Sequence, residues 1–496
     1  MRNISVKTFC LLLVVFTALS LKTHAQPAAS PIGYERLQLK IQQLDSLHTL
    51  LSTQVIGTTV EGRNITAMKF SKGDFGTDAT KIKVLFFAQQ HGNEQSGKEG
   101  AMLLAEWLLQ DENQHLLDRM DFALIPQINP DGSEANKRRN GNNADLNRNH
   151  LILTEPETQA LHQFFNQYLF EVSMDVHEYS PYSDDWKEYG YRRNTDVALG
   201  SCTNPNVSAD LRSFSNEEVL PFMMGEMQKQ GFKSFVYCPG GPPEIDYIRH
   251  STFDINDGRQ SFGIQQTLSF IQEGMNGTDM FSENISFRAR GQKEGMEALL
   301  VFVHKNAKEI KDIVQAARLQ QFTYDSTRKV SIQAIHSNDG RKLQLPLYSY
   351  KTGNDTLVNV SDYRPVVKSI TDVELPLGYL IPKQNTGLLA WADRQGLVRS
   401  NLPSDTKLIF HHYYIHAIDT IDFEGDATVD PMAELLAFKE VVDPVNYEFI
   451  PVNQLRGLMT VIALEPKSTL GLVTYPQFSY LLQKGTFFPV IRVTKE

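Results

Sequence analysis

A short apolar run followed by an amphipathic segment constrains this chain more than any other feature. Residues 83–88 have the length and apolar character of a buried strand, and residues 97–110 repeat apolar side chains at helical spacing. The segment between them therefore lies at a strand-to-helix junction. Ligands of open α/β sheets gather at such carboxyl ends of strands, so this junction is a candidate site.

Histidine and glutamate at this junction suit a catalytic zinc ion. His91 and Glu94 are three residues apart, so both can turn toward one ion if the chain bends from strand into helix. His177 would supply a third ligand from a distant strand end. A catalytic zinc site takes three such ligands and leaves a fourth position to water, whose pKa falls to about 7. The three residues are the predicted zinc ligands.

Such chemistry also needs a carboxylate that takes a proton from water and hands it to the leaving group. Glu273 follows the apolar run of residues 267–271 and precedes a glycine, as a strand-end residue facing a cleft would. It is the predicted base. Three glutamates further along the chain remain open as alternatives, namely Glu283, Glu294 and Glu297.

Several motifs occur in an order that is typical of one enzyme family. They are IGTTVEGRNI at 56–65, HGNE at 91–94, NPDG at 129–132, DLNR at 145–148, HEY at 177–179 and Glu273. On these motifs the chain resembles, over about residues 34–306, the zinc carboxypeptidases of the carboxypeptidase A type, most of all their secreted bacterial members. The resemblance implies an α/β fold, with a mixed sheet and helices on both faces.

The resemblance also implies a function and the residues that perform it. It implies one Zn²⁺ per chain, held by His91, Glu94 and His177, and a peptide substrate with a free C-terminus. Asn147 and Arg148 match the pair that binds this terminal carboxylate, which a guanidinium can meet bidentately.

Further residues match the rest of the family's machinery. Glu273 matches the general base, and Arg138 resembles the arginine that polarises the scissile carbonyl, with Arg139 left open as its alternative. Asp145 looks like the carboxylate that orients the ring of His91. Tyr179 lies two residues after His177, on the same side of an extended segment, and is expected to line a substrate subsite.

The substrate-capping tyrosine of the family has no unambiguous counterpart, and Tyr247 is the nearest candidate. Residues 180–243 are rich in Pro, Gly, Ser, Asn and Asp and are expected to form the rim of the cleft. The two cysteines in this stretch, Cys202 and Cys238, could pair in an oxidising compartment or remain free thiols.

Three segments are predicted along the chain. In residues 1–25, Arg2 and Lys7 precede an apolar core that is followed by small residues near the end, which indicates a secretory signal peptide and an exported, periplasmic or extracellular protein. Residues 33–320 are the predicted catalytic domain, which ends in a helical segment at 294–320. Short alternating runs separated by turn signals predict a smaller β-rich domain at 325–496.

Composition narrows the possible partners. A net charge of −10 and a pI of about 5.8 argue against nucleic acid and against an anionic membrane surface. After the signal segment no stretch reaches the roughly 18 apolar residues of a membrane span, so no stable membrane insertion is expected. His411, His412 and His416 cluster on one predicted strand, but no carboxylate base is placed beside them, and packing is the favoured interpretation.

Two other functions remain open. A zinc N-acyl amino acid hydrolase of the aspartoacylase or succinylglutamate desuccinylase type shares HGNE and an element similar to DLNR. The EGR segment near Arg63, the NPDG motif and the pairing of His177 with Tyr179 favour a peptidase. A catalytically dead module that binds peptide ends is the second alternative, and the full set of ligands together with Glu273 argues against it.

Overall fold

The structure is a computed structural model that describes residues 30–279, 281–404, 407–423, 426–437 and 442–495. The predicted signal peptide at residues 1–25 lies outside the described residues. No helix in the described ranges is long and apolar enough to cross a bilayer.

A mixed sheet lies at the centre of the first part of the chain. Within residues 30–279 the described strands are β1 (Leu51–Thr58), β2 (Asn64–Phe70), β3 (Ile82–Ala88), β4 (Met120–Ile125), β5 (Val172–Tyr179), β6 (Tyr191–Arg193), β7 (Val197–Ser201), β8 (Ser234–Val236), β9 (Ile248–Arg249) and β10 (Leu268–Met275). Eight of these described strands form one sheet in the order β1-β2-β4-β3-β5-β10-β7-β8. Strands β4, β3, β5 and β10 run parallel, whereas β2 and β7 are antiparallel to their neighbours β4 and β10.

Helices accompany this sheet along the chain. Up to residue 319 the described α-helices are α1 (Tyr34–Leu47), α2 (Gln95–Leu108), α3 (Pro130–Glu134), α4 (Pro156–Tyr168), α5 (Asp184–Glu188), α6 (Ala209–Phe214), α7 (Leu220–Lys229), α8 (Gly258–Gly263) and α9 (Ile285–Leu319). The helix predicted at 97–110 is α2, displaced by two residues, and the segment predicted at 294–320 corresponds to the greater part of α9, which begins at Ile285.

The alternation of side chains along β3 explains why both faces of the sheet are covered. Val84 and Phe86 enter one core together with apolar residues of α2 and α9. Leu85 and Phe87 point to the opposite face and enter a second core with apolar residues of α4. Because successive residues of a strand face opposite ways, a wholly apolar strand needs such cover on both sides. The predicted fold, a mixed sheet with helices on both faces, is confirmed.

Residues 180–243, expected to form the rim of the cleft, also contribute strands to the central sheet. Strands β7 and β8 lie within this stretch and extend the central sheet beyond β10. All five residues of β7 are buried. These strands are short and are surrounded by turn-forming residues, so composition alone does not predict them.

The part of the chain after residue 320 is rich in strands, as predicted. Its described strands are β11 (Lys329–Ser337), β12 (Leu343–Ser349), β13 (Asn354–Val360), β14 (Tyr363–Arg364), β15 (Val366–Glu374), β16 (Gly378–Pro382), β17 (Leu408–Phe423), β18 (Asp426–Ala437), β19 (Tyr447–Pro451) and β20 (Ile491–Lys495), and its described α-helices are α10 (Thr386–Arg394) and α11 (Gly457–Leu464). Five of these strands form a sheet in the order β18-β17-β20-β16-β19.

This C-terminal part, residues 325–495, is tied closely to the first part. Strand β12 pairs with β6, and β14 pairs with β9. The buried indole of Trp391 donates a hydrogen bond to the carbonyl oxygen of Leu151 at 2.8 Å, and Gln395 donates to the same oxygen at 2.7 Å. The division into domains at about residue 320 stays a prediction, and the two parts share a core in which Leu151 and Ile255 contact C-terminal residues.

A buried pair of imidazoles lies beneath this contact. His150 Nδ1 is 2.9 Å from His162 Nε2, and His150 Nε2 is 2.7 Å from Gln90 Oε1. The amide oxygen of Gln90 accepts a hydrogen bond from His150 Nε2, and Nδ1 of the neutral His150 ring accepts a hydrogen bond from His162 Nε2. Burial lowers the pKa of His150 to about 4, and burial also lowers the pKa of His162 well below its usual value.

We therefore expect stability to fall in mild acid. An unfolded chain binds a proton at His150 near pH 6.5, whereas the folded chain resists this proton down to about pH 4. Since the unfolded state binds more protons in this window, the free energy of unfolding decreases as pH falls from 6.5 to 4. The loss from His150 alone is about 3 kcal/mol. Chemical denaturation at several pH values measures it.

Replacing both rings by asparagine should flatten this pH dependence, whatever its effect on stability at pH 7. His48→Asn removes a histidine outside this cluster and should keep the dependence of the parent protein. An equally steep loss of stability in the double variant would show that other groups cause it.

Candidate metal centre and substrate cleft

The carboxyl ends of neighbouring parallel strands bring the predicted ligands together. His91 and Glu94 lie on the turn between β3 and α2, and His177 lies near the end of β5, which pairs with β3. Glu273 lies near the end of β10, directly opposite His177 in the register. Residues more than 80 positions apart in the chain therefore meet because of strand pairing.

The three predicted ligands form a compact, buried donor set. His91 Nδ1 is 2.7 Å from Glu94 Oε1, and His177 Nδ1 is 3.0 Å from Glu94 Oε2. The two Nδ1 atoms are 3.1 Å apart. One ligand atom from each residue lies within 4.8 Å of the others, and this is the one such group of His, Cys, Asp or Glu in the described ranges. Two imidazoles and one carboxylate suit zinc with a position open to water.

Carboxylates on the far side of each ring fix its orientation. His91 Nε2 is 3.2 Å from Asp145 Oδ1, as predicted. His177 Nε2 is 2.8 Å from Asp175 Oδ1, a contact that the sequence analysis did not predict. A proton held at Nε2 leaves Nδ1 free to bind a metal, which is the arrangement that metal-bound histidines commonly have. The spacing of Asp175 and His177 on one strand was the available signal, because residues two apart share a face.

The pKa values of the carboxyl groups in the centre depend on the neighbouring histidines and on Arg138. Burial opposes ionisation of Glu94, but His91 and His177 outweigh burial and hold the pKa of Glu94 well below its usual range. Burial likewise opposes ionisation of Asp145, but His91 and Arg138 hold its pKa below the usual range as well. Both carboxylates are therefore ionised and able to compensate a divalent cation.

Glu273 is a buried carboxyl beside this group, with 8% of its surface exposed. Burial raises its pKa to about 7 although His177 opposes the shift, and Glu94 adds to it. The alternatives lie elsewhere, since Glu283 bonds to Thr278 and the other two glutamates pair with Lys293 on α9. A carboxyl whose pKa lies near neutrality suits a group that both takes and returns a proton.

The two adjacent arginines face different surroundings. Gly92 N donates to Arg138 O at 3.2 Å, and a Cβ at Gly92 would lie 2.1 Å from the carbonyl carbon of Gly132, so HGNE and NPDG are held in direct backbone contact. Arg138 Nη1 lies 3.6 Å from Glu94 Oε1, and Arg138 Nε donates to Asp145 Oδ2. Arg139 instead donates to Asn143 O in solvent. Arg138 therefore faces the ligand group.

Asn147 lies beside the same group, and the neighbouring Arg148 differs from it in its surroundings. The amide of Asn147 is buried, with Nδ2 3.3 Å from His177 Nε2 and Oδ1 accepting from Gly258 N. Arg148 is exposed, and its Nη1 donates to the carbonyl oxygen of Asn147. Its side chain lines a cavity of about 410 Å³ that reaches into the C-terminal part. An exposed guanidinium on a cavity wall can meet a carboxylate.

A second cavity, of about 200 Å³, opens beside Glu273. Tyr179 and Tyr237 line it, together with Ala198, which pairs with Glu273 across the strands. The hydroxyl of Tyr179 hydrogen-bonds to the backbone of Thr195, so its ring is fixed on this wall. The sequence analysis missed Tyr237, because no motif marks the residue that follows β8.

Tyr247 does not line either cavity. The guanidinium of Arg364, from the C-terminal part, lies 3.9 Å from the centroid of its ring. Cys202 and Cys238 are buried free thiols. The histidine cluster on β17 makes separate polar or aromatic contacts, with His411 bonded to Thr494.

Comparisons with known proteins agree with this geometry. Residues 40–219 match the zinc carboxypeptidase family model, Peptidase_M14. Carboxypeptidase 2 of Trichophyton tonsurans is 21% identical over 463 residues, which cover 87% of this chain and 81% of that protein. Carboxypeptidase M of Mus musculus is 30% identical over 188 residues, which cover 34% of this chain and 41% of that protein. The resemblance to zinc carboxypeptidases that the sequence motifs indicate is confirmed.

A solved structure also aligns with this chain. It is a metallo-carboxypeptidase from Pseudomonas aeruginosa in complex with (2-guanidinoethylmercapto)succinic acid, at 20% sequence identity and a TM-score of 0.44, covering 56% of this chain and 70% of that one.

We expect the donor set to bind zinc and to couple binding to stability. Zinc at a hundredfold excess over its Kd should raise the free energy of unfolding by about 2.7 kcal/mol, because only the folded chain brings the three ligands together. Glu94→Gln and His177→Asn should each lose this stabilisation and the bound metal, measured by calorimetry and elemental analysis. His416→Asn, in the histidine cluster of β17, is the control that should retain both. Full zinc content in the Glu94→Gln variant would place the metal elsewhere.

Proposed function

We propose that this metallopeptidase, whose residues 40–219 match the zinc carboxypeptidase family model, removes the C-terminal residue of peptides and uses one zinc ion per chain. The observation that carries this proposal is the position of Arg148. Arg148 follows Asn147 in the chain, and the amide nitrogen of Asn147 lies close to the ring of His177. The guanidinium of Arg148 is exposed and donates to the carbonyl oxygen of Asn147. A cation at this position beside the predicted zinc ligands suits a substrate that ends in a carboxylate.

Anchoring of the chain end accounts for exopeptidase action. Arg148 holds the terminal carboxylate, and its own Nη1 is oriented by the bond to Asn147 O. With the carboxylate fixed there, the last peptide bond of the substrate falls beside the ligand group. Binding energy from a group that does not react is thereby used to position the group that does.

Chemistry at the bond is divided among three partners. Bound zinc lowers the pKa of a coordinated water to about 7 and polarises a carbonyl. Glu273 takes the proton from the attacking water and delivers it to the nitrogen of the departing residue, which leaves as an amine. Arg138 donates to the carbonyl oxygen as negative charge develops there, held in place by its bond to Asp145.

The apolar core and small residues of segment 1–25 support export of the protein by a signal peptide, as part of the same proposal. The net charge of −10 supports a peptide, and not a nucleic acid, as the substrate.

Recognition of the free chain end gives the first test. Amidating the terminal carboxylate of a peptide should lower kcat/KM by roughly 10- to 100-fold, since a charge-assisted hydrogen bond contributes about 1.5–3 kcal/mol. In Arg148→Ala the free and amidated peptides should be cleaved almost equally slowly. Arg139→Ala removes an exposed arginine that bonds only to Asn143 O among the described residues, and it should keep the full difference.

N-acyl amino acids, assayed beside the peptides, distinguish the rival hydrolase. Faster turnover of these compounds than of every peptide would contradict the carboxypeptidase proposal.

Replacement of the proposed base gives the second test. Glu273→Gln removes proton transfer but retains the shape of the side chain, so kcat should fall by about 10²- to 10⁴-fold while zinc content is unchanged. Glu294→Gln is a matched change at a glutamate that pairs with Lys293 on α9, and activity should persist. If the two variants turn over peptides equally, the base is another group.

A further inference from the structure

The glutamate of the HEY motif, Glu178, takes no part in the chemistry proposed above, yet it contacts the candidate metal centre. It follows the predicted ligand His177 on β5, and its side chain is fully buried. The backbone N–H of Glu178 donates to Glu94 Oε2 at 3.0 Å. Its carboxylate Oε2 accepts from the backbone N–H of Ser96 at 3.1 Å, in the first turn of α2. Glu178 therefore ties the segments of two predicted ligands to each other.

One arginine of α9 holds this carboxylate in a bidentate ion pair. Arg288 Nε donates to Glu178 Oε1 at 2.9 Å, and Arg288 Nη2 donates to Glu178 Oε2 at 3.0 Å. Arg288 Nη1 donates to the carbonyl oxygens of Glu283 and Phe281, so the guanidinium is itself fixed. A planar fork that meets both oxygens fixes the orientation of a carboxylate more closely than a single hydrogen bond does.

A second residue of the same helix holds β5 by its backbone. Gln292 lies four residues after Arg288, so the two side chains project from one face of α9. Gln292 Nε2 donates to the carbonyl oxygen of His177 at 2.7 Å. Apolar residues of α9 pack in the same core as those of α2. The helix therefore holds the end of β5 at two successive residues, one of them a predicted ligand.

Stability alone gives little reason for two charges at this position. Burial raises the pKa of Glu178, although the charge of Arg288 and the contacts with Ser96 oppose the shift. Apolar side chains of similar volume can often replace a buried ion pair without loss of stability. The directed hydrogen bonds of the pair, in contrast, are something that apolar side chains cannot supply.

We propose that Glu178 and Arg288 are positioning residues, which hold the turn that carries Glu94 against the end of β5 so that the ligands bind zinc tightly. The proposal rests on the function proposed above, because it concerns the metal of that reaction. The side chain of Glu178 acts through the bond from Ser96, and Arg288 acts through Glu178. Loss of a partner that orients metal ligands typically lowers metal affinity by about 10- to 100-fold.

The zinc affinity of the metal-free protein gives the test, measured without substrate by competition between the protein and a chelator for added zinc chloride. Arg288→Met should raise the Kd for zinc by about 10- to 100-fold, because Glu178 loses the fork that orients it. The same variant should unfold at a lower urea concentration in EDTA, because the carboxylate of Glu178 is left buried without its cation.

The double variant Glu178→Leu, Arg288→Met separates positioning from a merely structural role. It removes both buried charges, so the urea midpoint in EDTA should return toward that of the parent protein. The Kd for zinc should nevertheless stay about tenfold or more above the parental value, since the N–H of Ser96 has lost its acceptor. Recovery of stability and zinc affinity together would overturn the proposal.

A similar ion pair in the C-terminal part provides the matched control. Arg492 and Glu465 have 6% and 0% of their side chains exposed, compared with 4% and 0% for Arg288 and Glu178. Arg492→Met should lower the urea midpoint and leave the Kd for zinc unchanged. If the parent protein binds zinc and Arg288→Met keeps the parental Kd, this inference alone is wrong. Absence of zinc binding by the parent protein would contradict the proposed function as well.

Discussion

Pairing of β3, β5 and β10 is the constraint on which the rest of the site depends. Because the strands are parallel and adjacent, their carboxyl ends place an imidazole from each of two segments and the carboxyl of Glu273 on one edge of the sheet. Both faces of these strands are packed, so a shift in register would bring the wrong side chains into two cores at once. The fold thereby holds together charged groups that repel one another when alike and lose hydration on burial.

Packing of the C-terminal part adds a second level of organisation. The bonds from Trp391 and Gln395 to the carbonyl oxygen of Leu151 fix this part three residues after Arg148. The same part of the chain contributes residues to the cavity that Arg148 lines. The metal centre is built within the first part alone, whereas the cavity beside the anchor needs both.

Sequence patterns were sufficient to predict those elements and site residues that short segments of the chain specify. HGNE follows an apolar strand and His177 lies near the end of another. The sequence could therefore predict that these residues come together, because ligands gather at the carboxyl ends of parallel strands. The choice of Arg138 over Arg139 could not be predicted, since it depends on a backbone bond to Gly92. Tyr237 was also missed, because it reaches the cavity beside Glu273 through contacts between distant segments. Strands β7 and β8 were missed because they are short and surrounded by turn residues.

Pairing of the buried polar groups fixes the candidate metal centre before a substrate arrives. His91 and His177 each have a carboxylate beyond the ring, and Glu94 contacts the Nδ1 atom of both rings. Removing one partner would leave a buried polar atom unpaired, at a cost of about 1–3 kcal/mol. Arg148 differs, because its guanidinium is exposed and bonds to a backbone oxygen. Substitutions at the centre should therefore change whether any peptide is cleaved, and substitution of Arg148 should change which chain ends are recognised.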